Sequence, residues 1–382
     1  MIRELSRMGN RIVLVAEVNT LSSNQVASAR SAMLTYCTSI HVVPAVPYSG
    51  EETPLWRKLF DSRPDVVRAT QNAALDIAVR EVWSRGDFDA VIATECGFPG
   101  TATMAALAAG AHPLLVDSVE LGVLRPRTSL LSSQGVREQL AWWKMRRHTR
   151  RQLSRAEMYS VGSIPEQATF RRIVGEQIPC WILPHVIDVS NSRPTGLAQR
   201  EQLALIFSGA FSYSVNYEAV CWFAAHVFPR LRNRQQIVVR VTGDTASRDL
   251  DAIRATMPSV EFTGFVPDVH PLIARSCVSL APILAGGSTR IKIVEAMALG
   301  TPVVSTSAGA EGLPAENGEH LLIADTPESF ADAIDRLIED ATLWCRISEC
   351  GRRFVEEQYS TDVMRAGYRA VLAELTATSP SQ

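Results

Sequence analysis

Arg290, Lys292 and Glu295 fall within six consecutive positions, directly after the glycine pair Gly286–Gly287 and the hydroxyl pair Ser288–Thr289. Two cations and a carboxylate behind a glycine turn suit a bound phosphate ester. A turn of this kind ahead of a helix leaves backbone N–H groups uncovered at the positive end of the helix dipole, where a phosphate can approach closely. Ser288 or Thr289 would supply the N-cap. Arg290 falls in the first helical turn, where a cation is unfavourable unless an anion lies between it and the free N–H groups, so the placement points to a diphosphate. Lys292 and Glu295 share one helix face, while Ile291, Val294 and Ala298 turn to the core. A carboxylate at Glu295 could accept hydrogen bonds from two ribose hydroxyls. The spacing fits equally well a Lys292–Glu295 surface pair and a glycine turn that only permits close packing.

The elements that must position this segment are legible around it. Short β-branched runs alternate with longer helical patterns along the chain, which predicts an α/β fold with mainly parallel sheets covered on both faces. In the first half, strands are expected at Arg11–Ala16, Ser39–Val43, Ala90–Thr94, Pro113–Asp117, Met158–Gly162 and Trp181–Leu183, with helices at Pro64–Arg85 and Arg137–Ala156. In the second half they are expected at Leu203–Ser208, Ile237–Thr242, Glu261–Thr263, Cys277–Ala281, Pro302–Ser305 and Leu321–Ile323. Each half reads as a doubly wound, Rossmann-like domain. Polar and turn-forming residues between Asp188 and Gln202 mark the boundary. The expected domains are 1–188 and 203–360, and an amphipathic helix over 361–378 is expected to pack back on the first domain. Ligands of doubly wound sheets bind outside the carboxyl ends of the strands, and two such domains facing each other would form a cleft.

Composition narrows the function classes. The chain of 382 residues carries 38 basic and 40 acidic side chains, so no global field attracts a polyanion, and nucleic acid is excluded as an expected partner. The longest apolar stretches are broken by Glu95, Pro99 and glycines, too soon for a spanning helix. No export signal opens the sequence, and the expected compartment is the cytoplasm. Seven cysteines without a CxxC pair fit reduced thiols, and no metal-ligand spacing appears, so neither a metal nor a cofactor is expected.

The stretch GGSTRIKIVEAMALGTPVVSTSAGAEGL resembles the donor-binding segment of family 4 glycosyltransferases, in the branch written GGTRxKxLEAMAxGxPVVST. Further pieces recur in the family's order: FSGAFSYSVNYEAVCWFAAHVFPRL, VTGD, GFVPDVHPLIARS, HLLIADTPESFADAI and EEQYS. The resemblance implies the two-domain GT-B fold and a retaining, metal-independent, hexosyltransferase-type enzyme. Its substrates would be a nucleotide sugar and a hydroxyl acceptor, and its setting cell-envelope or polysaccharide biosynthesis. It places Glu295 on the ribose, the amides of Gly286, Gly287 and Ser288, with Thr289, near phosphate and sugar, and Arg290 and Lys292 on the diphosphate. Gly209 would line the phosphate side, and the Phe265–Val266 backbone would border the nucleobase.

The sequence also departs from that pattern. Gly287 stands eight positions before Glu295, where many members carry an acidic sugar contact. GAFSYSVNYEA lacks the Arg and Lys that often follow the second domain's first strand, which shifts the cationic burden to Arg290 and Lys292. In PLLVDSVELGV, Val119 occupies the place of an acceptor-side His. Asp117 or Glu120 could orient or deprotonate the acceptor hydroxyl, or could equally cap the next helix. RELSRMGNRIVLVAE resembles the first helix and second strand of the domain, so its first strand is expected to be missing. The run WWKMRRHTRRQLSR suits either a solvated helix face or peripheral contact with an anionic membrane. These departures favour, as the alternative to an enzyme, a catalytically silent nucleotide-sugar-binding or partner-binding protein.

Overall fold

The structure, a computed structural model, describes residues 1–18, 22–46, 72–94, 100–117, 133–188, 194–245, 248–284 and 291–377, with the side chains of residues 23 and 133–142 left out. It divides into two compact units. The first comprises Met1–Leu183 and the chain from Met364 onwards, and the second Pro184–Val363.

In the first unit the strands are β1 (Val13–Val18), β2 (Ser39–Pro44), β3 (Val91–Thr94), β4 (Leu114–Asp117), β5 (Met158–Val161) and β6 (Cys180–Ile182). β1 and β2 form one parallel pair, and β3-β4-β5-β6 form a separate four-stranded parallel sheet. β4 and β5 are buried along their whole length, which explains why LLV and MYSV read as continuous apolar runs. The helix expected from Pro64 is described from Ala73, where the Asn72 side chain caps it by accepting from the amides of Ala74 and Leu75. The basic helix spans Ser133–Leu153, starting earlier and ending sooner than expected.

The second unit is one six-stranded parallel sheet in the order β12-β11-β10-β7-β8-β9. Its strands are β7 (Glu201–Ser208), β8 (Val238–Thr242), β9 (Val260–Gly264), β10 (Ser276–Ala281), β11 (Val303–Ser305) and β12 (Leu322–Ile323). Leu205 and Phe207 of β7 join a core with the helices Ser214–Trp222 and Pro327–Glu339, while Ile206, on the opposite face, packs with Ile293, Val294 and Met297 of the helix Ile291–Ala298. That double burial produces the uninterrupted ALIF. All twelve expected strands are present, with ends within two residues of those read from sequence.

The chain passes from one unit to the other at Leu183–Pro184, five residues before the expected boundary at Asp188. The reason is backbone pairing: the Ile187 amide donates to the Tyr359 carbonyl at 2.9 Å, which draws the start of the polar stretch into the second unit. The final helix, Thr361–Ala377, begins in that unit and ends in the first, where Arg365 meets the buried Glu4 carboxylate at 2.8 Å. Burial pushes the Glu4 carboxyl up, but bonds from Arg3 and Arg365 outweigh it and hold the group below its ordinary range. No helix among the described residues is long and apolar enough to cross a membrane.

Candidate functional site

The strand order of the second unit locates its site. From β7 the chain winds through β8 to β9 and then returns to β10 on the other side of β7, so the winding reverses between β7 and β10. Binding crevices of doubly wound sheets open at such a reversal, outside the carboxyl ends of the two strands. Gly209 follows β7 directly, and the segment leading to Lys292 and Glu295 follows β10.

Close backbone approach shapes the β7 side. Gly209 has φ 152 and its amide donates to the Thr242 carbonyl at 3.0 Å. A Cβ on Gly209 would stand 2.7 Å from Asn216 Nδ2 and 3.0 Å from Lys292 Nζ. Gly243, after β8, has φ 110, and a Cβ there would lie 2.7 Å from the Ala210 amide nitrogen. Both positions therefore require glycine, for conformation and for space.

Lys292 reaches this platform from the opposite side. Its Nζ lies 4.1 Å from the centroid of the Phe207 ring and donates to Asn216 Oδ1 at 2.8 Å. The Asn216 amide in turn donates to the Ala210 carbonyl at 2.9 Å. The ammonium is thus held at the carboxyl end of β7, the place left without a cation in GAFSYSVNYEA. Glu295, on the same helix, is part-buried; desolvation pushes its carboxyl up, against the opposing pull of His270 and Lys292. Lys292 is thus more than one half of a pair with Glu295: it also bonds to Asn216, 76 residues away in sequence.

The other end of this helix is anchored. Gly300, at φ 68, closes it with its amide on the Met297 carbonyl at 2.9 Å and the Thr301 amide on Ala296 at 2.8 Å, a Schellman end. Arg200 donates to the Leu299 carbonyl at 2.9 Å, and Arg352 donates to that of Ala298. Cations at these carbonyls complement the negative end of the helix dipole. Beyond β11, Gly309 packs so closely that a Cβ would lie 2.6 Å from the Ala281 carbonyl, which holds the STSAG turn against the end of β10.

Of the expected site residues, Gly209, Lys292 and Glu295 come together at the reversal point. Val266 lies two residues past Gly264, the end of β9, beside Phe265, which is 80% exposed. Gly286, Gly287, Ser288, Thr289, Arg290 and Glu120 lie outside the described residues. Asp117 is in the first unit and 1% exposed; it accepts from Ser160 Oγ at 2.5 Å and from Tyr368 Oη at 2.8 Å. That geometry gives Asp117 a bracing role: each carboxylate oxygen ties another element to β4, and burial with the nearby carboxylate pushes the Tyr368 hydroxyl far up. Tyr368→Phe is expected to cost about 1.5–3 kcal/mol, the range for a hydrogen bond to a charged group, measured as a lower urea midpoint. Asp117→Asn should leave turnover within a few-fold; loss of turnover with intact folding would restore the base.

Sequence reasoning missed Asn216 and His270. Asn216 did leave a local trace, as a polar, weakly helix-forming residue in the first turn of the otherwise apolar helix Ser214–Trp222. His270, at the start of the helix His270–Arg275, left none.

The geometry can be set beside known proteins. Residues 202–340 match the family described as glycosyl transferases group 1. This span contains β7 to β12 and every residue of the Gly209–Lys292–Glu295 cluster. Among curated proteins, the lipopolysaccharide core biosynthesis glycosyltransferase LpsE of Rhizobium meliloti is 31% identical over 116 residues, 30% of this chain and 34% of that protein. An uncharacterised 44.6 kDa protein of the cps region of Klebsiella pneumoniae is 25% identical over 171 residues, 41% of this chain and 42% of its own length. Both likenesses cover less than half of the relative. Among solved structures, sucrose-phosphate synthase from Thermosynechococcus elongatus superposes with a TM-score of 0.69 at 15% identity, over 97% of this chain and 100% of that one. Anabaena HepE in complex with UDP-glucose gives 0.65 at 15% identity, over 96% and 100%. At such identities the likeness is one of fold. The fold is GT-B, built from two Rossmann-like units.

Proposed function

We propose that this protein is a retaining glycosyltransferase that moves a sugar from a nucleoside-diphosphate sugar to a hydroxyl acceptor in the assembly of a cell-envelope glycan. The observation that carries the reading is the Lys292 ammonium held over Gly209 at the reversal point, on the helix that also bears Glu295. The family match over the same strands supports it.

In the proposed reaction the bond between the sugar's anomeric carbon and the diphosphate oxygen breaks, and the acceptor oxygen bonds to that carbon on the same face. The acceptor proton passes to a phosphate oxygen of the departing diphosphate. Lys292, Arg290 and the N–H groups opening the helix stabilise the charge that develops there, a role that calls for no metal. Ionised Glu295 accepts from the ribose hydroxyls.

Nucleotide sugars and UDP, GDP and ADP are expected to raise the thermal midpoint in a concentration-dependent way, with one base preferred. Glu295 binds ribose as a carboxylate, and burial raises its pKa, so protonation begins at a higher pH than for an ordinary glutamate at about 4.3. The nucleotide-induced shift should therefore begin to shrink, as pH falls, above the pH at which an ordinary glutamate protonates. A protein whose midpoint no nucleotide moves would sink the proposal. The second reading, a nucleotide-sugar binder without turnover, is favoured by Gly287 in the place of an acidic sugar contact. Donor binding with neither transfer nor slow hydrolysis would establish it.

A further inference from the structure

We infer that Asn216 is the positioning residue of the diphosphate subsite, acting through Lys292; the inference rests on the donor-binding reading above. Lysine places its charge at the end of a stem of four flexible bonds, and fixing that charge against its own freedom costs affinity when a ligand has to do it. Here the fixing is built into the fold. Nζ lies 4.1 Å from the centre of the Phe207 ring of β7, and Asn216 Oδ1 accepts from it at 2.8 Å. Asn216 cannot swing away, because it is 9% exposed and its Nδ2 donates to the Ala210 carbonyl at 2.9 Å. The absence of a Cβ at Gly209 completes the seat, since that atom would stand 3.0 Å from Nζ and 2.7 Å from Asn216 Nδ2.

The residue type matters as much as the distance. An amide carbonyl orients the ammonium without neutralising it, whereas a carboxylate in the same place would form an ion pair and compete with phosphate for the charge. A chain with no Arg or Lys in GAFSYSVNYEA, directly after β7, thus recruits a cation from the helix after β10 and needs a neutral anchor on the β7 side. Asn216 supplies it.

The test is a double-mutant cycle read by calorimetry, with whichever of UDP, GDP and ADP binds most tightly and with the matching nucleoside as control. In the otherwise unchanged protein, Asn216→Ala should weaken the nucleotide about 5- to 20-fold and leave the nucleoside within about 2-fold; in the Lys292→Met background the same change should cost under about 2-fold. Asn216→Gln keeps a neutral amide and moves its oxygen out of register by one methylene, so it serves if the alanine variant does not fold. It too should weaken the nucleotide only while Lys292 is present. Equal losses in both backgrounds, or equal losses for nucleotide and nucleoside, would show that Asn216 merely braces its own helix and would overturn the inference. If the unaltered protein binds none of the three nucleotides, the donor-binding reading itself fails, a result distinct from additive losses.

Discussion

On the proposed function, Lys292→Met is expected to lower turnover by about two to three orders of magnitude, the effect of removing one preorganised partner of developing charge, and to leave the protein folded. Methionine keeps an apolar side chain of similar length and removes the ammonium that lies over the Phe207 ring. The folded state loses the hydrogen bond to Asn216, worth about 1 kcal/mol, and the cation–π contact, worth about 0.5–2 kcal/mol, so the thermal midpoint should fall by several degrees. The loss should fall mainly on kcat, because the charge on the bridging diphosphate oxygen grows as the glycosidic bond breaks, and a cation aimed there binds the transition state more tightly than the donor. Steady-state kinetics with the donor identified by thermal shift decides the matter. A variant with kcat within about 3-fold of the parent and only KM raised would reduce Lys292 to a uniform binding contact.

Arg200→Ala is expected to destabilise the second unit by about 3–5 kcal/mol, more than most single substitutions do. The guanidinium is 6% exposed and donates to Thr195 O at 2.8 Å, Ser276 O at 2.9 Å, Leu299 O at 2.9 Å and Thr301 Oγ1 at 2.6 Å, with its plane over Trp344 at 4.9 Å. Burial without a carboxylate partner pushes its pKa down to about 10, yet at neutral pH it stays charged. Alanine would strand buried acceptors, each costing about 1–3 kcal/mol, and open a cavity beside the indole. Arg200→Lys should rescue little, since one ammonium cannot span those directions. Urea unfolding followed by far-UV circular dichroism would measure the effect, and a loss below about 1 kcal/mol would refute the assignment. Because Arg200 also holds the far end of the helix carrying Lys292 and Glu295, nucleotide affinity should weaken in parallel.

The two residues differ in how visible they are from sequence. Lys292 could be picked out because a glycine turn, a helix and a charge pattern are all local. Arg200 sits in a polar stretch that reads as linker, and its partners Ser276, Leu299 and Thr301 lie some 76 to 101 residues further on. The strands were legible for a related reason: burial on both faces writes itself into runs such as ALIF and CVSL, whatever the neighbours are. The partners of Asp117 were illegible because a carboxylate at a strand end looks the same in sequence whatever it meets, and Ser160 and Tyr368 are 43 and 251 residues away. The division of the chain at Leu183–Pro184 was hidden for a related reason, a backbone bond from Ile187 to Tyr359 that no local composition announces.

That pairing of Ile187 with Tyr359, together with the return of the chain at Met364, bears on the order of events during synthesis. The second unit is an insertion whose entry and exit segments are joined, so it is complete once Val363 has left the ribosome. The first unit, although it starts the chain, still lacks the helix residues that supply Arg365 to Glu4 and Tyr368 to Asp117. Domains emerging from the ribosome ordinarily fold from the amino end. Here the first unit closes last, and a nascent chain stalled before residue 364 would carry a finished second unit beside a first one whose Glu4 keeps Arg3 and whose Asp117 keeps Ser160, each short of the partner that the final helix brings.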